Sequence, residues 1–199
     1  MTTRSGRERA LRKATAKPLV DAKAISVHSQ QLTRLVREGA LERVARGTYR
    51  IVDRPMSEHQ SFAIVSTIAP RSVICLLSAL AFHEVGTQLP FEVWVAIERG
   101  TRPPRLQNPP VRVMRFSGDA FRSGIETHTI DGTRVRLYGI AKTIADLFKF
   151  RNRIGVDIAI EALRDAWQRR LVTIEEIDRY ARVCRVQRVM QPYVEALVA

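Results

Sequence analysis

The residue types best suited to gripping a polyanion are gathered in one short stretch, Ser29-Gln30-Gln31-Leu32-Thr33-Arg34-Leu35-Val36-Arg37. Leu32, Leu35 and Val36 stand at i, i+3 and i+4, so on a helix they share one apolar face. Gln30, Thr33, Arg34 and Arg37 then fall on the opposite face, with Ser29 and Gln31 beside the first turn. Glutamine and arginine each make paired hydrogen bonds, to adenine and guanine edges respectively, and a helix fits the major groove of a duplex. Arg43, Arg46 and Arg50 follow within one hairpin's length. Arginines there suit phosphates or a minor groove, and Arg46, at the expected tip, is the strongest single candidate. Arg4, Arg7, Arg9, Arg12 and Lys13 add charges that would position a duplex without reading its sequence.

Chemistry of other kinds lacks its constellations. His28, His59, His83 and His128 lie on separate segments, with no metal-binding spacing and no cysteine beside them. His83, next to Glu84 on an apolar helix, reads as a satisfied core or boundary histidine. Cys75 and Cys184 are far apart in apolar surroundings and read as buried small hydrophobes rather than a disulfide or ligand pair. Phosphate-binding glycine loops and a nucleophile elbow are absent. A metal-dependent nuclease is the enzyme class that deserves a test, because Glu92 and Glu98 flank the apolar run FEVWVAI. No Glu-x-Lys or Asp-x-Lys follows, Lys142 falls on a helix, and Asp146 is expected to cap or to pair with an arginine. The expectation is no catalytic residue, no metal and no cofactor.

The elements that must hold these residues follow from local pattern. Residues 7–17 read as a helix ended by Pro18, and residues 19–25 as an apolar entry with one helical turn. Residues 30–38 form a third helix, stopped by Gly39 in a left-handed conformation. Residues 41–44 and 49–52 read as strands around the turn Ala45-Arg46-Gly47-Thr48. Three helices and then a two-stranded hairpin is the order of a winged helix-turn-helix.

Pro55 followed by Ser57 marks a boundary, giving a domain over 1–54 and a larger one over 55–199. In the second, residues 57–69 read as a helix capped by Ser57, and residues 76–85 as one closed by Gly86. Strands are expected at 91–97, 111–116, 125–130 and 135–138, the last two joined by Asp131-Gly132-Thr133, with a basic, proline-rich loop over 99–110. Beyond Ile140 the pattern is helical, with a capping box at Thr173-Ile174-Glu175-Glu176 and a short last helix over 191–198. The fold class is α+β: a winged helix-turn-helix plus a small antiparallel sheet covered by helices.

Charge agrees with this division. The 199 residues carry a net +13, and 28 of the 33 basic residues are arginine. Residues 1–54 hold thirteen basic against five acidic residues, so most of the excess sits in about a quarter of the chain. With 45% hydrophobic residues the chain is no disordered basic tail. Its polar start and the brevity of its longest apolar run, residues 73–82, lead to the expectation of a cytoplasmic protein without membrane association.

The segment LERVARGTYRI closing the first domain, with VICLLSALAFHEVG, YGIAKTIADLFKFRNRIG and ALRDAWQRRLVT in the second, resembles the AbiEi-type antitoxins of type IV toxin–antitoxin systems. The resemblance implies a repressor that binds double-stranded DNA at the operator in its own promoter and counteracts a nucleotidyltransferase-like toxin. It carries DNA contacts over to Gln30, Gln31, Thr33, Arg34 and Arg37 on the third helix and to Arg43 and Arg46 on the wing. It implies no catalytic residue and leaves oligomeric state open. The rival from another class is a basic module that binds an acidic protein without reading DNA.

Overall fold

The computed structural model describes residues 19–21, 28–45, 47–53, 57–106 and 108–198. The expected first helix, its basic residues Arg4, Arg7, Arg9, Arg12 and Lys13, and Arg46 lie outside them. The chain forms two compact units. The first takes in residues 1–70 with 104–109 and 128–135, and the second the remainder.

In the first unit, β1 (Leu19–Asp21), α1 (Ser29–Arg37), β2 (Leu41–Ala45) and β3 (Thr48–Ile51) make a helix and a three-stranded sheet of order β1-β3-β2. The apolar entry expected at Leu19 is a strand, and residues 22–25, where the helical turn was expected to continue, lie outside the described residues. Leu19, Val20 and Asp21 pair antiparallel with Arg50, Tyr49 and Thr48. That pairing satisfies the outer edge of β3 and buries Leu19. A core of Leu32, Leu35, Ala40, Leu41 and Ile51 joins α1 to the hairpin, with Tyr49 packed against it. Each buried leucine or isoleucine contributes about 1.5–3 kcal/mol.

Gly39 ends α1 as expected, at φ +71°. The Gly39 amide donates to the Val36 carbonyl at 3.1 Å and the Ala40 amide to the Leu35 carbonyl at 3.0 Å. This crossed pair satisfies the last carbonyls and aims the chain into β2.

Also in the first unit, α2 (Gln60–Ile68) starts later than expected. Ser57 is not its cap: its amide and hydroxyl donate to the two carboxylate oxygens of Asp131, at 3.1 and 3.0 Å. A partner 74 residues away outcompetes the local capping role.

The remaining elements are β4 (Val73–Ile74), α3 (Leu76–Phe82), β5 (Val93–Glu98), β6 (Val111–Phe116), α4 (Asp119–Arg122), β7 (Ile125–Ile130), β8 (Thr133–Tyr138), α5 (Ile140–Lys149), α6 (Arg151–Ile154), α7 (Val156–Gln168), α8 (Ile174–Cys184) and α9 (Gln187–Val198). The five-stranded sheet has order β6-β5-β4-β8-β7. The α+β class holds, but the sheet is mixed rather than antiparallel. Strand β5 runs parallel to β6, and β4 parallel to β8 and antiparallel to β5. The two-residue β4 escaped the sequence pattern because an apolar dipeptide has no period. Helix α3 is closed by Glu84 at φ +53° rather than by Gly86, with the Val85 amide donating to the Leu80 carbonyl. Helix α9 begins at Gln187, well before the expected 191, and carries Pro192 inside it. The capping box of α8 forms as expected, with Thr173 and Glu176 exchanging side-chain to backbone bonds.

The core of the second unit gathers Trp94, Met114 and Phe116 from the sheet with Ile144, Leu147 and Phe148 of α5, Leu163 of α7, Ile177 of α8 and Met190 of α9. It also buries an ion pair completely. Lys142 Nζ donates to Asp146 Oδ2 at 2.5 Å, and both side chains are 0% exposed. The ammonium lies over the Tyr138 ring, 4.1 Å from its centroid, and 5.1 Å from that of Phe116. Asp146 thus pairs with a lysine one turn away, not with an arginine. Its second oxygen accepts from the Cys184 thiol at 3.2 Å. Cys184 is therefore more than a filler: its thiol ties α8 to α5. Desolvation raises the Asp146 carboxyl above the usual carboxylate range against the pull of Lys142, and burial pushes the Cys184 thiol up to about 12.

A candidate nucleic-acid interface

Helix α1 forms because apolar residues recur at helical spacing on a chain free of glycine and proline between 28 and 38. His28 precedes it in extended conformation, and its carbonyl accepts from the amides of Gln31 and Leu32. No acidic residue stands in the first turn. The helix N-terminus therefore keeps its partial positive charge, which suits an anion.

The structure brings most of the expected side chains onto one solvent face. Ser29, Gln30, Gln31, Thr33, Arg34 and Arg37 are all exposed, while Leu32 and Leu35 are buried. Val36, expected on the core face, remains 36% exposed. It occupies the rim because the small core of the unit closes around Leu32 and Leu35. The Thr33 hydroxyl donates back to the Ser29 carbonyl at 3.0 Å. Arg34 is held by Glu38, with Nε to Oε1 at 2.8 Å, and its side chain stays 59% exposed. Arg37 and Arg43 have no acidic partner among the described residues.

The hairpin departs from simple alternation. Leu41 faces Ile51, Glu42 faces Arg50 and Arg43 faces Tyr49, but a bulge then sets Ala45 opposite Thr48. The extra residue, Val44, interrupts the regular alternation of the strand. The cross-strand pair Glu42–Arg50 closes at 2.9 Å through Arg50 Nε. Arg50 is thereby engaged within the hairpin, while Arg43 stays exposed. Gly47 takes φ +81° at the turn. Sequence reasoning passed over Glu38 and Glu42, the acids that hold Arg34 and Arg50. The i, i+4 spacing of Arg34 and Glu38 was the legible signal.

Glu92, just before β5, and Glu98, its last residue, do not gather into a metal site. Glu92 pairs with Arg112, and Glu98 with Arg122 at 2.9 Å. Among the described residues no group of three or more histidines, cysteines or carboxylates is placed to hold a metal ion. His83, half-buried, has its Nε2 2.9 Å from the Tyr138 carbonyl. Among the described residues no helix is long and apolar enough to cross a membrane.

Comparison with known proteins places the clearest likeness on the first unit. Residues 19–52 match the family model described as "Transcriptional regulator, AbiEi antitoxin". No curated protein sequence matches the chain. The overall fold is similar to the crystal structure of the RV2827C protein from Mycobacterium tuberculosis, with a TM-score of 0.66. That likeness covers 90% of this chain and 71% of the other at 12% identity, so it is one of fold alone. The segment holding α1 and the hairpin is thus where this chain is similar to the AbiEi-type transcriptional regulators, and its overall architecture recurs in a distant structure.

Proposed function

We propose that the protein is a sequence-specific, DNA-binding transcriptional repressor of the AbiEi antitoxin type. Residues 1–54 serve as the winged helix-turn-helix DNA-binding domain and residues 55–199 as the antitoxin or interaction domain. Helix α1 enters the major groove, where Gln30, Gln31, Thr33, Arg34 and Arg37 meet base edges and Ser29 meets backbone at its N-terminus. The β2–β3 hairpin acts as the wing, with Arg43 and Arg46 on phosphates. The operator lies in the gene's own promoter, and the counterpart is a nucleotidyltransferase-like toxin encoded in the same operon. The protein works in the cytoplasm without a cofactor.

One observation carries this reading: a polar helix face without acids in its first turn, beside an arginine-bearing hairpin, within the segment that matches the regulator family model. Arginine on a major-groove helix discriminates bases by about 1–3 kcal/mol per bidentate contact. Binding of the full chain to a duplex spanning its own upstream region is the test, measured against a scrambled duplex of equal length. Arg34→Ala with Arg37→Ala should erase the preference for the upstream duplex. Arg46→Ala should weaken both duplexes alike and flatten the salt dependence. A protein that shows no preference between the duplexes, or an Arg34/Arg37 variant that keeps it, overturns the assignment.

A further inference from the structure

The second unit holds a cavity of about 300 Å³ between the start of β7, the start of α5 and helix α8. Ile125, Ile140 and Val172 give it an apolar wall, and Leu171 adds a large side chain that remains 38% exposed. Glu126, Glu176, Tyr180 and His83 supply its polar groups. Small-molecule sites begin at about this volume and combine these two kinds of lining. The charge of the cavity runs against that of the molecule. The chain carries a net +13, yet no lysine or arginine lines the cavity, and two carboxylates do.

Each polar group is set by its own element. Glu176 and Tyr180 stand at i, i+4 on α8 and so share one face of it. Glu176 Oε2 accepts from the Thr173 amide at 2.9 Å and from the Thr173 hydroxyl at 3.2 Å. Among the described residues nothing donates to Glu176 Oε1, and the Tyr180 hydroxyl has no hydrogen-bond partner. Arg179 lies over the Tyr180 ring, 5.0 Å from its centroid, and steadies it without lining the cavity. His83 Nε2 donates to the Tyr138 carbonyl, which fixes the imidazole in the wall. The Gly139 amide donates to the Gly124 carbonyl at 2.9 Å and ties the start of α5 to that of β7. The Glu126 carboxylate takes the space that a Cβ at Gly139 would fill, beside the first turn of α5. That positive helix end thus already has its anion.

We infer that this cavity binds a small alkylamine, its ammonium at Glu176, Glu126 and the Tyr180 hydroxyl and its stem against Ile125, Ile140 and Val172. An ammonium group only donates hydrogen bonds, and Glu176 Oε1 and the Tyr180 oxygen are acceptors. Bonds from a cation to a carboxylate are the strong ones, and the apolar wall takes the methylenes out of water. An anionic ligand, by contrast, would meet two carboxylates and no lining cation. A metal ion lacks its ligand set, since among the described residues no three carboxylates, histidines or cysteines are placed to hold one. The site is separate from α1 and the hairpin and does not depend on the DNA-binding reading.

The test titrates the isotope-labelled full chain with n-pentylamine and follows its backbone amides by NMR. Titrations with n-pentanol and n-pentanoate supply a neutral and an anionic isostere of the same length. The amine should give saturable shifts centred on Gly124, Gly139 and Ala141, with an affinity about tenfold above that of either isostere. Glu176→Gln leaves a side chain that still serves in a capping box, and it should weaken amine binding about tenfold. Tyr180→Phe keeps the ring and should weaken the amine by a smaller factor. A cavity that prefers pentanoate, takes all three compounds alike or gives no saturable shift overturns the proposal. Amine binding that survives both substitutions unchanged overturns it too. If either variant fails to fold, the three titrations of the wild-type chain still decide.

Discussion

Helices α1 and α5 each carry a basic residue four positions before or from an acid, and the two pairs have opposite meanings. Arg34 and Glu38 meet at 2.8 Å with side chains 59% and 35% exposed. Lys142 and Asp146 meet at 2.5 Å with both fully buried. On α1 water screens the charges, so the pair is nearly neutral in stability and the arginine stays available to a partner. On α5 the charges are buried beside each other, two aromatic rings and a thiol, so the pair is structural and unavailable to anything outside. Identical spacing thus yields an exposed arginine, proposed above for recognition, in one place and an internal fastener in the other. Solvent decides which.

The largest expected effect lies at the buried pair. Lys142→Met or Asp146→Leu alone should destabilise the protein by about 3–5 kcal/mol, because each leaves a buried charge unpaired. The double variant should recover most of that loss. Urea unfolding of the two singles and the double gives the coupling directly, and additive losses would place the pair in the same class as Arg34–Glu38. The next effect concerns the turn that aims α1 at its hairpin. Gly39→Ala forces a Cβ into left-handed backbone in open space. It should cost about 1–2 kcal/mol in the same assay. A neutral result would mean that the turn relaxes and the helix–hairpin geometry is loosely set. Smallest is Glu38→Gln, which should shift stability by less than about 0.5 kcal/mol. A larger loss would show that the exposed pair is not the weak one.

Thiol reactivity sharpens the same contrast. With Cys184 pushed up to about 12 by burial and by its bond to the Asp146 carboxylate, almost none is thiolate at pH 8. Alkylation by iodoacetamide, followed by mass spectrometry, should therefore be slow in native protein and fast after denaturation. Fast labelling of the native protein would show that the α5–α8 junction opens readily.

Much of the first unit was legible because its signals are local. The spacing of Leu32 and Leu35, the glycine after residue 38 and the hairpin glycine at 47 each act over a few residues. The polar face of α1 follows from them without knowledge of the rest. Long-range pairings were not legible. Leu19–Asp21 becomes a strand only because β3 offers it an edge. Ser57 leaves its expected capping role for Asp131, and a mixed sheet replaces an antiparallel one because nothing local specifies the neighbour of β6 or β8. The arginines at 99, 102 and 105 were visible as a basic loop over 99–110, but the reach of Arg115 to the Thr101 carbonyl depends on parallel strand register.

The sequence by itself determined which residues can form helices and turns, where charge is dense and which side chains carry hydrogen-bonding forks. Those properties are set by backbone stereochemistry and by periodicity within a few residues. Tertiary structure alone decided which of those groups face water. Lys142 and Arg34 look equally free on a helical wheel, and only the elements packed around α5 turn one of them inward. A charge's role depends on its dielectric surroundings, and those are built by residues distant in the chain.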